Sequence, residues 1–145
     1  MEKTALSMDE LRHKAEAYCA AAEHCPFEVK EKLYQWGAEE KQIASILAHL
    51  QEANYTNAER YCAAFTNDKI KYQGWGRIKV KMMLQYKRLP EDAIQKALSS
   101  FDEIEYKRIL TKVASKKKGA TWEQVARFLI QRGFEYDLIR EIIKL

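Results

Sequence analysis

The sequence predicts an all-α protein of three tandem three-helix repeats, which we expect to form an elongated, curved array. The first observation is compositional. The 145 residues include only five Gly and two Pro, and 32% of them are charged. This composition is typical of helices and poor in the turn residues that a sheet protein needs. The second observation is that apolar residues recur on one frame, three times along the chain.

The repeat frame is anchored on three leucines, Leu33, Leu84 and Leu129. A valine stands four residues before each leucine, and apolar residues follow five, ten and fourteen residues after it. The matched positions are Val29, Val80 and Val125; Ala38, Leu89 and Phe134; Ile43, Ile94 and Ile139; and Leu47, Leu98 and Ile143. Twelve apolar matches besides the anchors indicate three copies of one helical unit.

The first repeat spans residues 9–53 and should contain three helices. The first helix covers 9–23, and Pro26 begins the second because proline suits the first helical turn. Gly37 ends the second helix by supplying a left-handed cap. The third helix, 39–53, carries isoleucines and leucines on one face.

The second repeat spans residues 54–99. Thr56 or Asn57 can cap its first helix, which should run to Tyr72, where a Gly-Trp-Gly sequence interrupts the chain. A helix over 77–87 follows, and Pro90 begins the last one.

The third repeat spans residues 100–145. Its first helix should reach Lys118, the second begins at Thr121 and stops at Gly133, and the third ends at Leu145.

Catalytic patterns are absent from the sequence. It has no glycine-rich phosphate loop and no nucleophile elbow, and the histidines (His13, His24 and His49) lack metal-binding spacing. We therefore expect a protein that is not an enzyme and needs no metal and no cofactor. With no apolar stretch long enough for a membrane span or an export signal, we expect a cytoplasmic monomer with reduced cysteines.

Positive charge is concentrated in the middle of the chain. Residues 1–53 hold six basic and ten acidic residues. Residues 54–90 hold eight basic and two acidic residues, and residues 91–145 hold eleven basic and nine acidic residues. The middle segment therefore carries a net charge of +6, although the whole chain carries only +4. A localised basic segment is typical of a surface that binds a polyanion or an acidic protein.

The candidate binding residues are the cations of this basic segment, which are interleaved with Tyr72, Trp75 and Tyr86. They are Lys69, Lys71, Arg77, Lys79, Lys81, Lys87 and Arg88. On a continuous helix, Arg77, Lys81 and Arg88 share one narrow sector, and Lys79 projects elsewhere. Cations in such a sector could neutralise phosphates and release counterions. The alternative is a face of lysines that only meets solvent.

The run from Asn54 to Phe65 resembles a signature of the RecX family, the bacterial modulators of the recombinase RecA. A basic segment, a glycine and an Arg-Ile pair follow in the family's order, here ending at Arg77-Ile78. The resemblance covers about residues 15 to 145 and implies mainly structural roles for the signature residues. These are Tyr55, Arg60, Tyr61, Ala64, Phe65, Gly74, Ile78 and Leu84. The chain departs from the family at Asn54, which replaces a usual glycine, and at Lys87-Arg88, where the family has Lys-Gly.

The resemblance implies a helical wedge that lies in the groove of the RecA–single-stranded DNA filament. Such a protein would limit filament extension and lower ATP hydrolysis, strand exchange and the repressor co-cleavage of the SOS response. Single-stranded DNA would be contacted through the filament. Two alternatives remain open, namely a stand-alone helix–turn–helix DNA-binding protein and a helical-repeat scaffold for protein interactions.

Overall fold

A computed structural model describes residues 5–144, and these residues form nine α-helices and no strand. The helices are α1 (Met8–Ala21), α2 (Pro26–Gln35), α3 (Glu40–Glu52), α4 (Ala58–Asn67), α5 (Arg77–Tyr86), α6 (Glu91–Ser100), α7 (Glu103–Ala114), α8 (Trp122–Gln131) and α9 (Tyr136–Ile142). A π-turn over Asp68–Tyr72 follows α4, and a 3-10 turn over Ser115–Lys117 follows α7. The predicted all-α class is confirmed. The expectation that the last helix continues to Leu145 is wrong, because α9 ends at Ile142 and Ile143 is extended; Leu145 itself lies outside the described residues.

The chain packs as two compact units, Met1–Tyr61 and Cys62–Leu145. In the first unit, α1 packs against both α2 and α3. In the second unit, α5 packs against α6, and α7 packs against both α8 and α9. The predicted repeat boundaries after residues 53 and 99 stay predictions.

The repeat frame marks the inward-facing positions of the helices. Of its fifteen aligned residues, only Leu47 is not buried. The anchor leucines Leu33, Leu84 and Leu129 are fully enclosed. The period read from the sequence therefore identifies the residues whose burial stabilises each three-helix set.

The helices α2, α5 and α8 end in the same backbone geometry, at the same position of the frame. Gly37, Arg88 and Gly133 have φ angles of 84°, 65° and 96°. The amide of the next residue donates to the carbonyl of the anchor leucine; the three bonds are Ala38 to Leu33 (2.9 Å), Leu89 to Leu84 (3.2 Å) and Phe134 to Leu129 (3.0 Å). This pattern is the Schellman cap. Arginine adopts the left-handed conformation at a cost of about 1–2 kcal/mol, which glycine avoids.

The beginning of α5 and the end of α8 meet backbone to backbone, and we call this contact the α5–α8 junction. The Gly76 amide donates to the Arg132 carbonyl (2.7 Å), and the Ile78 amide donates to the Gly133 carbonyl (3.0 Å). A Cβ atom at Gly76 would lie 2.2 Å from the carbonyl carbon of Gly133, and one at Gly133 would lie 2.4 Å from the Cβ of Lys79. Both glycines are therefore required by the close approach of two main chains.

We predict that Gly133→Ala destabilises the protein far more than Gly37→Ala. Both residues hold the same left-handed cap position, so each alanine should cost about 1–2 kcal/mol. Only Gly133 would also overlap with the Lys79 backbone, because nothing lies within 4 Å of a Cβ at Gly37. Overpacking of this kind adds about 1–3 kcal/mol. Equal losses of unfolding free energy in urea would contradict this account of the junction.

Candidate functional site

The structure separates the predicted basic residues into three groups. One cation, Arg77, lies in an ion-pair network. Three lysines surround a pair of aromatic rings. The others, Lys71, Lys81 and Arg88, lie at the surface or close to it.

The Arg77 side chain is held between α7 and the residue that precedes α9. Its Nε lies 2.7 Å from Glu135 Oε2, and one terminal nitrogen lies 2.8 Å from Glu103 Oε2. Its guanidinium carbon lies 3.9 Å from the centre of the Tyr106 ring. The Arg77 backbone amide donates to the Tyr106 hydroxyl (3.0 Å), and that hydroxyl donates to Glu135. These bonds link the start of α5 to α7 and to the residue that precedes α9.

Arg77 is therefore not available to neutralise phosphates in the way that the cation sector predicts, because its side chain is only 22% exposed and both of its partners are carboxylates. Burial acts to lower its pKa, but the hydrogen bond to Glu103 and the charge of Glu135 outweigh burial and raise the pKa. The guanidinium therefore remains charged and paired within the fold.

The expectation that Arg88 shares a helical sector with Arg77 and Lys81 is wrong. The helix α5 ends at Tyr86, and Arg88 adopts a left-handed conformation beyond it. Lys81 Nζ lies 3.7 Å from a carboxylate oxygen of Glu91, and both side chains are well exposed. Such a pair contributes little to stability.

Three lysines surround Phe65 and Trp75, and we call these five residues the basic–aromatic cluster. The two rings meet edge to face at 6.2 Å. Lys69 Nζ lies 5.4 Å from the Phe65 ring centre and 5.1 Å from that of Trp75. Lys79 lies 4.2 Å from Trp75, and Lys87 lies 5.8 Å from Phe65. Cation–π attraction of about 0.5–1 kcal/mol per pair holds these positive charges close together.

The solvent face of α5 carries three large apolar side chains, which we call the α5 row. They are Ile78, Met82 and Tyr86, with exposures of 47%, 65% and 67%. Residues four apart on a helix lie on one face, so the three form a continuous row. Lys79 and Lys81 lie on either side of it. Because exposed apolar residues that line up are uncommon on a water-facing helix, the row is a candidate surface for contact with another molecule.

The α5 row has no apolar equivalent on α8. The matching residues of α8 are Glu123, Arg127 and Gln131, and those of α2 are Phe27, Glu31 and Gln35. This row was not predicted from the sequence. The signal was present, because Ile78, Met82 and Tyr86 are four residues apart and lie on the helix face opposite Val80 and Leu84. Ile78 was assigned a structural role, yet it is exposed.

The other signature residues occupy varied positions. Arg60 pairs with Glu23, and its guanidinium donates to the carbonyls of Asn54 (3.1 Å) and Tyr55 (3.2 Å). Tyr61 is buried, and burial is the main reason for its raised pKa. Leu84 lies in the core, and Phe65 belongs to the basic–aromatic cluster.

The last two signature residues, Gly74 and Ala64, lie outside the buried core. Gly74 is left-handed (φ 68°), and its carbonyl accepts a hydrogen bond from Arg132 Nε (3.0 Å). Ala64 is exposed, so it has no core role.

Residues 5–144 contain no group of three or more His, Cys, Asp or Glu side chains placed to hold a metal ion. Cys19, Cys25 and Cys62 are buried, and none of the three is in a disulfide. Burial raises the pKa of Cys19 to about 11, so this thiol is protonated at neutral pH. Among the same residues, no helix is long and apolar enough to cross a membrane.

Comparison with known proteins agrees with the resemblance seen in the sequence. The model of the family described as RecX, second three-helix domain, matches residues 57–98. The regulatory protein RecX of Chlorobaculum tepidum is 31% identical over 134 residues, which cover 87% of this chain and 81% of that protein. RecX of Clostridium botulinum is 30% identical over 127 residues, but this chain covers only 59% of its length.

A solved structure shows the same fold. The crystal structure of RecX from Lactobacillus salivarius superposes with a TM-score of 0.77, covers 93% of each chain and is 20% identical in sequence. At this identity the likeness concerns the fold alone.

We predict that Arg77→Met lowers the free energy of unfolding by about 1–3 kcal/mol, because Glu103 and Glu135 lose a charged hydrogen-bond donor. The matched control is Lys81→Met on the same helix, which should cost under about 0.5 kcal/mol at its exposed site. Urea denaturation measures both variants. Similar losses for the two would mean that the Arg77 network contributes nothing beyond a surface ion pair.

We also predict that stability falls as the pH rises above about 10, the usual tyrosine pKa. Burial, followed by the hydrogen bond to Glu135, raises the pKa of Tyr106 in the folded state. The unfolded chain then loses this proton first, so the contribution is present below about pH 10 and is lost above it. Tyr106→Phe should give a less stable protein with a shallower alkaline decline in urea titrations at several pH values. An unchanged slope would contradict the assignment.

Proposed function

Because this chain belongs to the RecX family of regulatory proteins, we propose that it binds the RecA–single-stranded DNA filament and limits filament extension. It acts by binding and not by catalysis, in the cytoplasm and as a monomer. RecA's ATP hydrolysis, strand exchange and co-protease activity, and with them DNA repair and the SOS response, fall when the filament is shortened. The observation that carries the proposal is the match to the RecX family, and the α5 row, which lies within the matched family segment, is the surface that we propose for the contact.

The chemistry of the α5 row suits a protein partner. Methionine and aromatic residues are enriched at protein interfaces, which have an apolar centre and a polar rim. Met82 and Tyr86 supply such a centre. The flanking Lys79 and Lys81 favour a partner surface that is acidic, because complementary charge speeds association and fixes its register. Lys69 and Lys87 extend the positive charge through the basic–aromatic cluster.

The stand-alone helix–turn–helix alternative fits this chain less well. In that motif the N-terminal residues of the second helix contact base edges in the major groove. The helix that follows α5 is α6, which begins with Glu91 and Asp92, both exposed. Two carboxylates at this position would repel DNA phosphates.

The direct test is the ATP hydrolysis of a bacterial RecA on single-stranded DNA. The wild-type chain should suppress hydrolysis at substoichiometric amounts, because one bound molecule stops extension at a filament end. A folded chain that leaves hydrolysis unchanged at equimolar amounts would overturn the proposed function.

We predict that Met82→Glu raises the concentration needed for half-inhibition about tenfold or more, since loss of an interface anchor costs over about 1.4 kcal/mol. The carboxylate would lie at the centre of the α5 row and repel an acidic partner. Ile104→Glu is the matched control, because Ile104 is also an exposed apolar helix residue but lies on α7. It should inhibit like the wild type. Equal inhibition by both variants would remove the α5 row from the interface and leave the regulatory function standing.

A further inference from the structure

A surface cavity of about 350 Å³ is lined by residues of the third repeat, none of which belongs to the predicted basic segment. Its lining comes from the turn after α7 and from one side of α8, and consists of Lys117, Ala120, Gln124, Arg127, Phe128 and Gln131. The volume lies within the range of small-ligand sites in proteins. The lining contains two cations, two amides and one aromatic ring, and no carboxylate.

The Phe128 ring is the apolar surface of this cavity, and cations lie against it. Lys117 Nζ lies 4.9 Å from the ring centre, and the Arg132 guanidinium carbon lies 5.7 Å from it. Arg132 is held in place by its hydrogen bond to the Gly74 carbonyl. Lys117 belongs to the exposed 3-10 turn, so its long side chain can leave the ring when a ligand arrives.

Three chemical features meet in this cavity, and together they match one class of ligand. An aromatic face stacks on a planar base, and the Gln131 amide can donate to and accept from the edge of a base. The oxygen of Gln124 accepts from the Thr121 amide (2.9 Å) in the cap of α8, which leaves its NH2 group to donate to a base. The positive charges of Lys117 and Arg127 can neutralise phosphates next to that base. An acidic peptide would use the cations and leave the ring and the amides without a role.

We propose that this cavity binds a nucleotide of a single-stranded nucleic acid, with its base on Phe128 and its phosphates on Lys117 and Arg127. The contact is made by the chain itself and needs no RecA. It therefore goes beyond the regulatory function proposed above, and its test contains no recombinase.

The experiment measures the fluorescence anisotropy of a labelled thymidine oligonucleotide of about 12 nucleotides, within the usual site size of single-strand binders. The full chain should bind it at low salt. Phe128→Leu keeps an apolar side chain but removes the aromatic face, so binding should weaken about tenfold. An abasic oligonucleotide of the same length should bind the wild type about tenfold more weakly than the thymidine strand does.

Arg127→Gln provides a second variant at an exposed site, where loss of folding is not expected. It should weaken binding and lower the slope of log affinity against log salt by about one. Arg108→Gln is the matched control, because Arg108 is also an exposed helix arginine but lies on α7, outside the cavity. It should bind like the wild type.

The proposal fails if Phe128→Leu binds as tightly as the wild type, or if the abasic strand binds as well as the thymidine strand. It also fails if Arg108→Gln loses as much affinity as Arg127→Gln, or if polyglutamate displaces the oligonucleotide at equal charge concentration. None of these outcomes bears on the inhibition of RecA.

Discussion

The second unit depends on a contact between two main chains, at which the first amides of α5 donate to the last carbonyls of α8. The free amides at a helix start are partly positive and the free carbonyls at a helix end are partly negative, so each satisfies the other. Only Gly76 and Gly133 allow the backbones to approach so closely. Side chains then reinforce the contact from both directions, since Arg132 donates to the Gly74 carbonyl and Arg77 reaches Glu135.

This contact determines which cations of the basic segment are available for binding. Arg77 is held by carboxylates of the third repeat, whereas Lys79 lies two residues further along α5, against Trp75. The start of the helix thus stabilises the fold, and its solvent face remains open to a partner. An ion-pair network that fixes the orientation of α5 also fixes the direction in which the α5 row points.

Local patterns in the sequence were sufficient to predict where the helices lie and which of their faces are buried. Glycine and proline mark helix ends within a few residues, and the apolar frame follows the helical period that burial imposes. The environment of Arg77 could not be predicted, because Glu103 and Glu135 lie 26 and 58 residues away in the sequence. The conformation of Arg88 was missed for a different reason. Placing Arg88 in a sector with Arg77 assumes that the helix continues past Tyr86. The helix in fact ends there, and the left-handed conformation of Arg88 turns the chain away. The cavity beside Phe128 likewise requires the turn after α7 to fold against α8, which no periodicity reveals.

The crowding around Gly133 has a consequence for how such an array can evolve. The equivalent glycine of the first repeat, Gly37, faces open space, whereas Gly133 lies against the main chain of Lys79. The second repeat carries Arg88 at the equivalent position, so putting that repeat in place of the third would bring a side chain to where the Lys79 backbone passes. A copy of the second repeat could occupy the third position only if this arginine were replaced by glycine. Substitution at this position is therefore restricted by a neighbouring main chain in the third repeat, and only by the left-handed backbone in the first.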